Sequence, residues 1–148
     1  MKIIFALVLA VAMLSLALVA CGSGGSTKVK INFTLSVVAN GEKVVDGLEH
    51  QISANENKIP TILLAALDAL AVNGIQYEAE DELISISVAG TKYAMGKDET
   101  NVYAWIYRVN GVEPTSGKMN TNLIEDGQNI ELELIAIPLE TNTNTDAE

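Results

Sequence analysis

An α+β fold, with one helix packed on a mixed or antiparallel sheet of about five strands, is what this sequence predicts. Three observations point to it. Residues 28–38, KVKINFTLSVV, alternate apolar and polar side chains at the two-residue period of a strand with one wet face. Residues 57–74, NKIPTILLAALDALAVNG, hold the one convincing helical pattern. After that helix the chain breaks into short β-patterned runs separated by Gly, Asn and Asp turns. Such a chain buries its apolar faces most simply by laying the helix across one sheet.

The elements follow in order. In the first strand Val29, Ile31, Phe33, Leu35 and Val37 share one face, and Lys28, Lys30, Asn32, Thr34 and Ser36 the other. Asn40-Gly41 is a hairpin turn, because both residues accept positive φ. A second strand runs through 44–53, with Leu48, His50 and Ile52 on one face and a bulge at Asp46-Gly47. Thr61 is placed to cap the helix with its hydroxyl, and Gly74 to supply the left-handed residue that ends it. Leu63, Ala66 and Leu70 centre the inner helix face, flanked by Ile62 and Leu67. Asp68 marks the opposite side, which also carries Leu64, Ala65, Ala71 and Val72. Either something covers that second apolar side, or its small residues keep the exposed area tolerable. Glu78 to Glu82 reads as a charged loop. Residues 83–90 read as a strand that turns at Ala89-Gly90 into 91–95, and GKDETN, 96–101, as polar loop. YAWIYRVNG, 103–111, is a strand ending in the Asn110-Gly111 turn. A loop rich in Pro, Ser, Gly and Asn spans 112–122, and Asp126-Gly127 turns the chain into a last strand, 129–137. Residues 138–148, PLETNTNTDAE, are polar and repetitive, and disorder is expected there. Hairpin, helix, then several short strands is the order of a β-grasp.

The chain begins with Met1-Lys2 and an apolar run from Ile3 to Ala20 interrupted only by Ser15. LVACGSGG follows, with Cys21 preceded by Leu18, Val19 and Ala20. This resembles a bacterial lipoprotein signal; the alternative is an uncleaved anchor with an incidental cysteine. The resemblance implies a signal peptide over 1–20, removal before Cys21, a diacylglyceryl thioether on that cysteine and usually a further acyl chain. It also implies an extracytoplasmic protein moored to the bacterial membrane. Residues 21–27 would be a flexible tether reaching at most ~20 Å. Cys21 is the only cysteine, so no internal disulfide is possible. Without Lys2 the chain carries eight basic and nineteen acidic residues, a net charge of −11. Nothing basic clusters, which excludes nucleic acid as a partner through phosphate neutralisation and anionic headgroups as the source of membrane attachment.

A second resemblance rests on PTILLAALDAL, AWIYRVNG and LIEDGQNIELEL. Together they resemble the transcobalamin C-terminal-like domain, a family of unknown function in many bacterial surface proteins. Thr61, Ala69, Leu70, Trp105, Tyr107, Val109, Asn110, Gly111, Asp126 and Gly127 match its pattern, over about residues 28–137. The resemblance implies a β-grasp domain. In the animal cobalamin carriers the equivalent domain helps enclose the corrinoid beside a helical barrel; these 148 residues encode no such barrel.

Tyr103, Trp105 and Tyr107 lie on alternate positions of one strand. If Val102, Ala104 and Ile106 face the helix, the aromatics form an exposed ladder for a flat ligand, a glycan or a partner. If the aromatics face it, they are core, and Val109 on the same face favours that arrangement. These three and Asn110 are the candidate ligand-binding residues. His50, the only histidine, is expected at a half-buried edge; alone it makes a poor metal site. The carboxylates of EAEDE and KDET lack the spacing of a calcium loop. No nucleophile–base pair, Gly-rich phosphate loop or histidine cluster is present, so neither enzymatic activity nor a cofactor beyond the lipid is expected. Two roles remain. One is a tethered binding protein for a small ligand such as a corrinoid. The other is an envelope module that binds another protein or a cell-wall polymer through a sheet edge or through Leu64, Ala65, Ala71 and Val72.

Overall fold

The computed structural model describes residues 27–140. The expected signal, Cys21 and nearly all of the tether lie outside the described residues, as do residues 141–148 of the expected disordered tail. The chain runs β1 (Lys28–Ala39), β2 (Glu42–Asn55), α1 (Ile62–Val72), β3 (Gln76–Ala79), β4 (Leu83–Val88), β5 (Thr91–Ala94), β6 (Gly96–Lys97), β7 (Asn101–Val109) and β8 (Gln128–Pro138). Helix and sheet thus combine as expected, and the main sheet is mixed and five-stranded, in the order β2-β1-β8-β7-β6. Its central pair, β1 and β8, is parallel; the other pairs are antiparallel.

A separate three-stranded sheet, β3-β4-β5, departs from the expectation of a single sheet. Its origin is local. After β5 the Met95 N–H still donates to the Ile84 carbonyl at 2.9 Å, so the chain stays with β4 until Gly96 crosses to β7. β3 corrects the reading of 78–82 as loop at Glu78 and Ala79, while 80–82 are the bend between β3 and β4. Glu78 pairs with Ser85 of β4, and its carboxylate accepts from Lys92 Nζ of β5 at 2.9 Å and Ser85 Oγ at 3.1 Å. Both bonds, Lys92 first, hold the Glu78 pKa below its ordinary value.

The alternation of β1 sets the core. Ile31, Phe33, Leu35, Val37 and Ala39 are buried, and Ile130, Leu132 and Leu134 of β8 lie on the same face. The bulge in β2 is present. Leu35 pairs with Leu48 but Val37 with Val45, and Gly47, at φ +58°, donates its N–H to Ser36 Oγ. His50 lies on the edge strand with its side chain 9% exposed. Its ring meets Phe33 edge-on at 5.5 Å, and Nε2 lies 2.8 Å from an Asp68 carboxylate oxygen on α1.

Thr61 caps α1 as expected, accepting from the Leu64 N–H at 3.3 Å. The first two helical N–H groups go elsewhere. Ile62 donates to the Asn122 carbonyl at 2.8 Å and Leu63 to that of Met119 at 2.9 Å. Donors that a helix cannot satisfy internally thereby dock the loop after β7. At the other end Gly74, φ +71°, takes the left-handed position. Ile62, Leu63, Ala65, Ala66, Ala69 and Leu70 are buried. The helical periodicity puts Ala65 on the outer side with Leu64, Ala71 and Val72. It is covered instead, because the core that α1 enters includes Leu83 and Ile86 of the second sheet and Ile124 of the loop, not the main sheet alone. Leu64 and Val72 stay 58% and 68% exposed.

Candidate functional site

β7 resolves the question of its aromatics by register. Tyr103, Trp105, Tyr107 and Val109 pair with Ala136, Leu134, Leu132 and Ile130 of β8, so they share the face that carries the core. Tyr107 is 8% exposed. Its hydroxyl accepts from Asn122 Nδ2 at 2.6 Å, which ties the loop to the strand. Trp105 is half-buried against the core, and its Nε1–H donates to the Ile84 carbonyl at 3.2 Å, joining the two sheets. The three aromatics are not an exposed ladder; each polar tip has a protein partner. On the opposite face Arg108 donates to Glu131 at 3.0 Å and to Glu133, which raises its pKa further.

Tyr103 lies at the rim. Its hydroxyl donates to Asp98 Oδ2 at 2.8 Å, and that carboxylate raises the tyrosine's pKa. Asp98 also accepts from the Thr100 and Asn101 N–H groups at 2.8 and 2.7 Å, closing the turn into β7. These backbone bonds, with that from Tyr103, bring Asp98 from its ordinary 3.8 to about 2. A depressed carboxylate adds stability above its unfolded pKa and loses it as pH falls through the folded one. The turn is therefore expected to loosen between about pH 4 and about pH 2, read as a carboxyl titration of Asp98 by NMR. Asp98→Asn should abolish the coupled shift of the Thr100 and Asn101 amides.

Asn110, at φ +51°, sits in the turn after β7. Its side-chain carbonyl accepts the Asn129 N–H at 2.9 Å and its own N–H donates to the Asn129 carbonyl at 2.8 Å, which fixes the register of β7 on β8. Asp126 does the same for β1, accepting from the Asn32 N–H and amide, and its pKa is lowered for that reason.

A cavity of about 270 Å³ opens between β7, the start of β4 and the 113–120 loop. Trp105 and Tyr107 line it; Tyr103 and Asn110 do not. Its apolar walls are Leu83, Met95, Pro114 and Met119. Its charged residues are Asp81, Glu82, Glu113 and Lys118, with Lys118 and Glu82 paired at 3.3 Å. Asn120 also lines it, and its side-chain oxygen is buried without a hydrogen-bond partner. Of the cavity's lining, Trp105 and Tyr107 are legible in the sequence by type and spacing. Leu83 and Met95, which reach the cavity through the second sheet and the chain leaving it, and Lys118 on the loop carry no local signal.

The backbone of β7 adds a further feature. Asn110 N–H reaches Asn129 and Leu139 N–H reaches the Thr100 carbonyl, so even-numbered residues direct their polar groups toward β8. The Asp98–Asn101 and Val109–Val112 bonds run the other way, from odd-numbered residues. β6 pairs only with Val102 and Tyr103. Among the described residues, no strand pairs with Trp105 or Tyr107 on that second side. Their N–H and C=O groups form an open edge beside the cavity that the same residues line.

No family model matches the chain, and no curated protein matches it. Among solved structures it is similar to haptocorrin in complex with Cbi, at a TM-score of 0.52 and 15% identity. That likeness shows a shared fold over the matched part of the haptocorrin chain. The match covers 80% of this chain but only 28% of the haptocorrin chain. The chain is also similar to a candidate metal-binding protein from Ruminococcus gnavus, at 16% identity over 72% of this chain and 97% of that one. The TM-score there is 0.38, too low to bear on the fold. Among the described residues no group of three or more His, Cys, Asp or Glu side chains is arranged to hold a metal ion.

Proposed function

We propose that the chain is a non-enzymatic binding protein, a β-grasp domain held outside the cytoplasm by a lipid on Cys21, and that its ligand enters the cavity beside Trp105. The cavity carries this reading: it is concave, largely apolar, lined by aromatic and thioether side chains, and set with a few polar groups at its margin. The β-grasp description draws support from a first strand lying parallel to the last at the sheet centre and from a helix that follows the first hairpin. The lipid anchor draws on the LVACGSGG motif alone.

A corrinoid is the first ligand to test, since the haptocorrin structure holds one. At about 270 Å³ the cavity would take a peripheral part of so large a molecule rather than enclose it. Titration with cobinamide is expected to quench the fluorescence of Trp105, the single tryptophan, to saturation. An unchanged spectrum together with no retention on a corrinoid column would remove the corrinoid. A second reading, an envelope interaction module, is favoured by the exposure of Leu64 and Val72 on one side of α1. Leu64→Asp with Val72→Asp should then abolish crosslinking to envelope partners while leaving the unfolding midpoint in place; undiminished crosslinking refutes that surface.

A further inference from the structure

We propose that the cavity takes a short extended peptide carrying a basic side chain, seated on β7 as an added strand. This rests on the reading of the cavity as the ligand site and names the ligand's chemistry.

β6 joins β7 only at Gly96, opposite Tyr103, and Val109 is closed off by its own turn to Val112. Between them Trp105 and Tyr107 offer two N–H donors and two C=O acceptors in the alternating order that another extended backbone matches. A strand rises ~3.3 Å per residue, so the stretch between the two sets is one two-residue repeat. The guest would extend the track that β6 enters only at Gly96. Exposed edges are usually blunted by charge, proline or cover. Here the edge borders an apolar recess whose walls include Leu83, Met95 and Met119, which suits one side chain of the guest.

Charge selects the guest further. The rim has three carboxylates, Asp81, Glu82 and Glu113, against one cation, Lys118, and that cation is already paired with Glu82. The whole chain carries −10. A lysine or arginine in the guest would face Asp81 and Glu113, whereas an acidic residue would be repelled.

The test uses a capped hexapeptide of alternating lysine and valine, its glutamate–valine counterpart, and two versions of the first N-methylated at every second amide, one in each frame. Binding is read from Trp105 fluorescence. The lysine peptide is expected to bind and the glutamate peptide not to. Methylation in one frame should weaken binding about tenfold or more, because two backbone bonds are lost; the other frame should be tolerated, its amides facing away. In hydrogen exchange the amides of Trp105 and Tyr107 should become protected, while that of Ile106, already turned to β8, should not change. The double variant Asp81→Lys, Glu113→Lys should reverse the preference between the two peptides. Equal affinity of both methylated frames, or unaltered exchange at Trp105 and Tyr107, overturns the added-strand geometry. Saturation by cobinamide with silence to every peptide overturns the peptide and leaves the cavity reading standing. Silence to cobinamide and peptides alike overturns both.

Discussion

Replacing Leu132 by alanine is expected to destabilise the domain by about 2–5 kcal/mol, the range for emptying a fully buried leucine site. Leu132 is 0% exposed and occupies the centre of the main sheet. On one side it pairs with Val37 of β1, on the other with Tyr107 of β7. It therefore joins the parallel and antiparallel halves, and α1 lies over the same core. Little can collapse into the space it would leave, because both flanking strands are held in register by the Asp126 and Asn110 contacts. Urea unfolding followed by circular dichroism measures the loss as a lower midpoint at unchanged slope. Ile137→Ala on the same strand is the control. Its side chain is 47% exposed, and the change should stay within about 0.5 kcal/mol. Comparable losses at the two positions would mean that burial does not govern the sheet centre.

Gly117→Ala is expected to cost about 2–5 kcal/mol through two effects. Gly117 sits at φ +79°, where a side chain brings strain of about 1–2 kcal/mol. A Cβ there would also lie 2.1 Å from Asn122 Oδ1. Asn122 cannot move freely: its amide donates to Tyr107 Oη and to the Ser116 carbonyl, and its backbone carbonyl receives the Ile62 N–H. Breaking the amide's two bonds adds about 1–3 kcal/mol. A double-mutant cycle separates the effects. With Asn122→Ala in place, Gly117→Ala should cost only the backbone strain, because the collision partner is gone. Strict additivity would show that the two residues do not meet. The loop they shape is a wall of the Trp105 cavity, so the single variant should also weaken any ligand measured there.

Much of this architecture is legible in the residues. The alternation of β1 and β8, the left-handed Asn40-Gly41 and Asn110-Gly111 pairs, and the Thr61 and Gly74 caps are local signals, and each element stands where its signal falls. The failures share one cause. Glu78 reads as loop until β4, carrying Ser85, pairs with it. Ala65 reads as outward until Leu83, Ile86 and Ile124 approach from a layer the periodicity cannot announce. The same holds at the cavity. Trp105 and Tyr107 stand out by type and spacing, but the space beside them exists because the chain stays with β4 through Met95 and joins β7 only at Gly96, and no residue in TKYAMG says so.

The parallel contact of β1 with β8 has a consequence for how the molecule comes into being. Thr34 meets Asn129 across 95 positions of chain. A growing polypeptide that has not yet emerged past residue 128 lacks the very ribbon that belongs between its first and seventh strands. Until then Val37 and Tyr107 have no shared neighbour to bridge them. Assembly must wait for the last arrivals, and the high separation between partners makes a slow collapse the expectation, with a shortened chain ending near Gly127 unable to reach the native state at all.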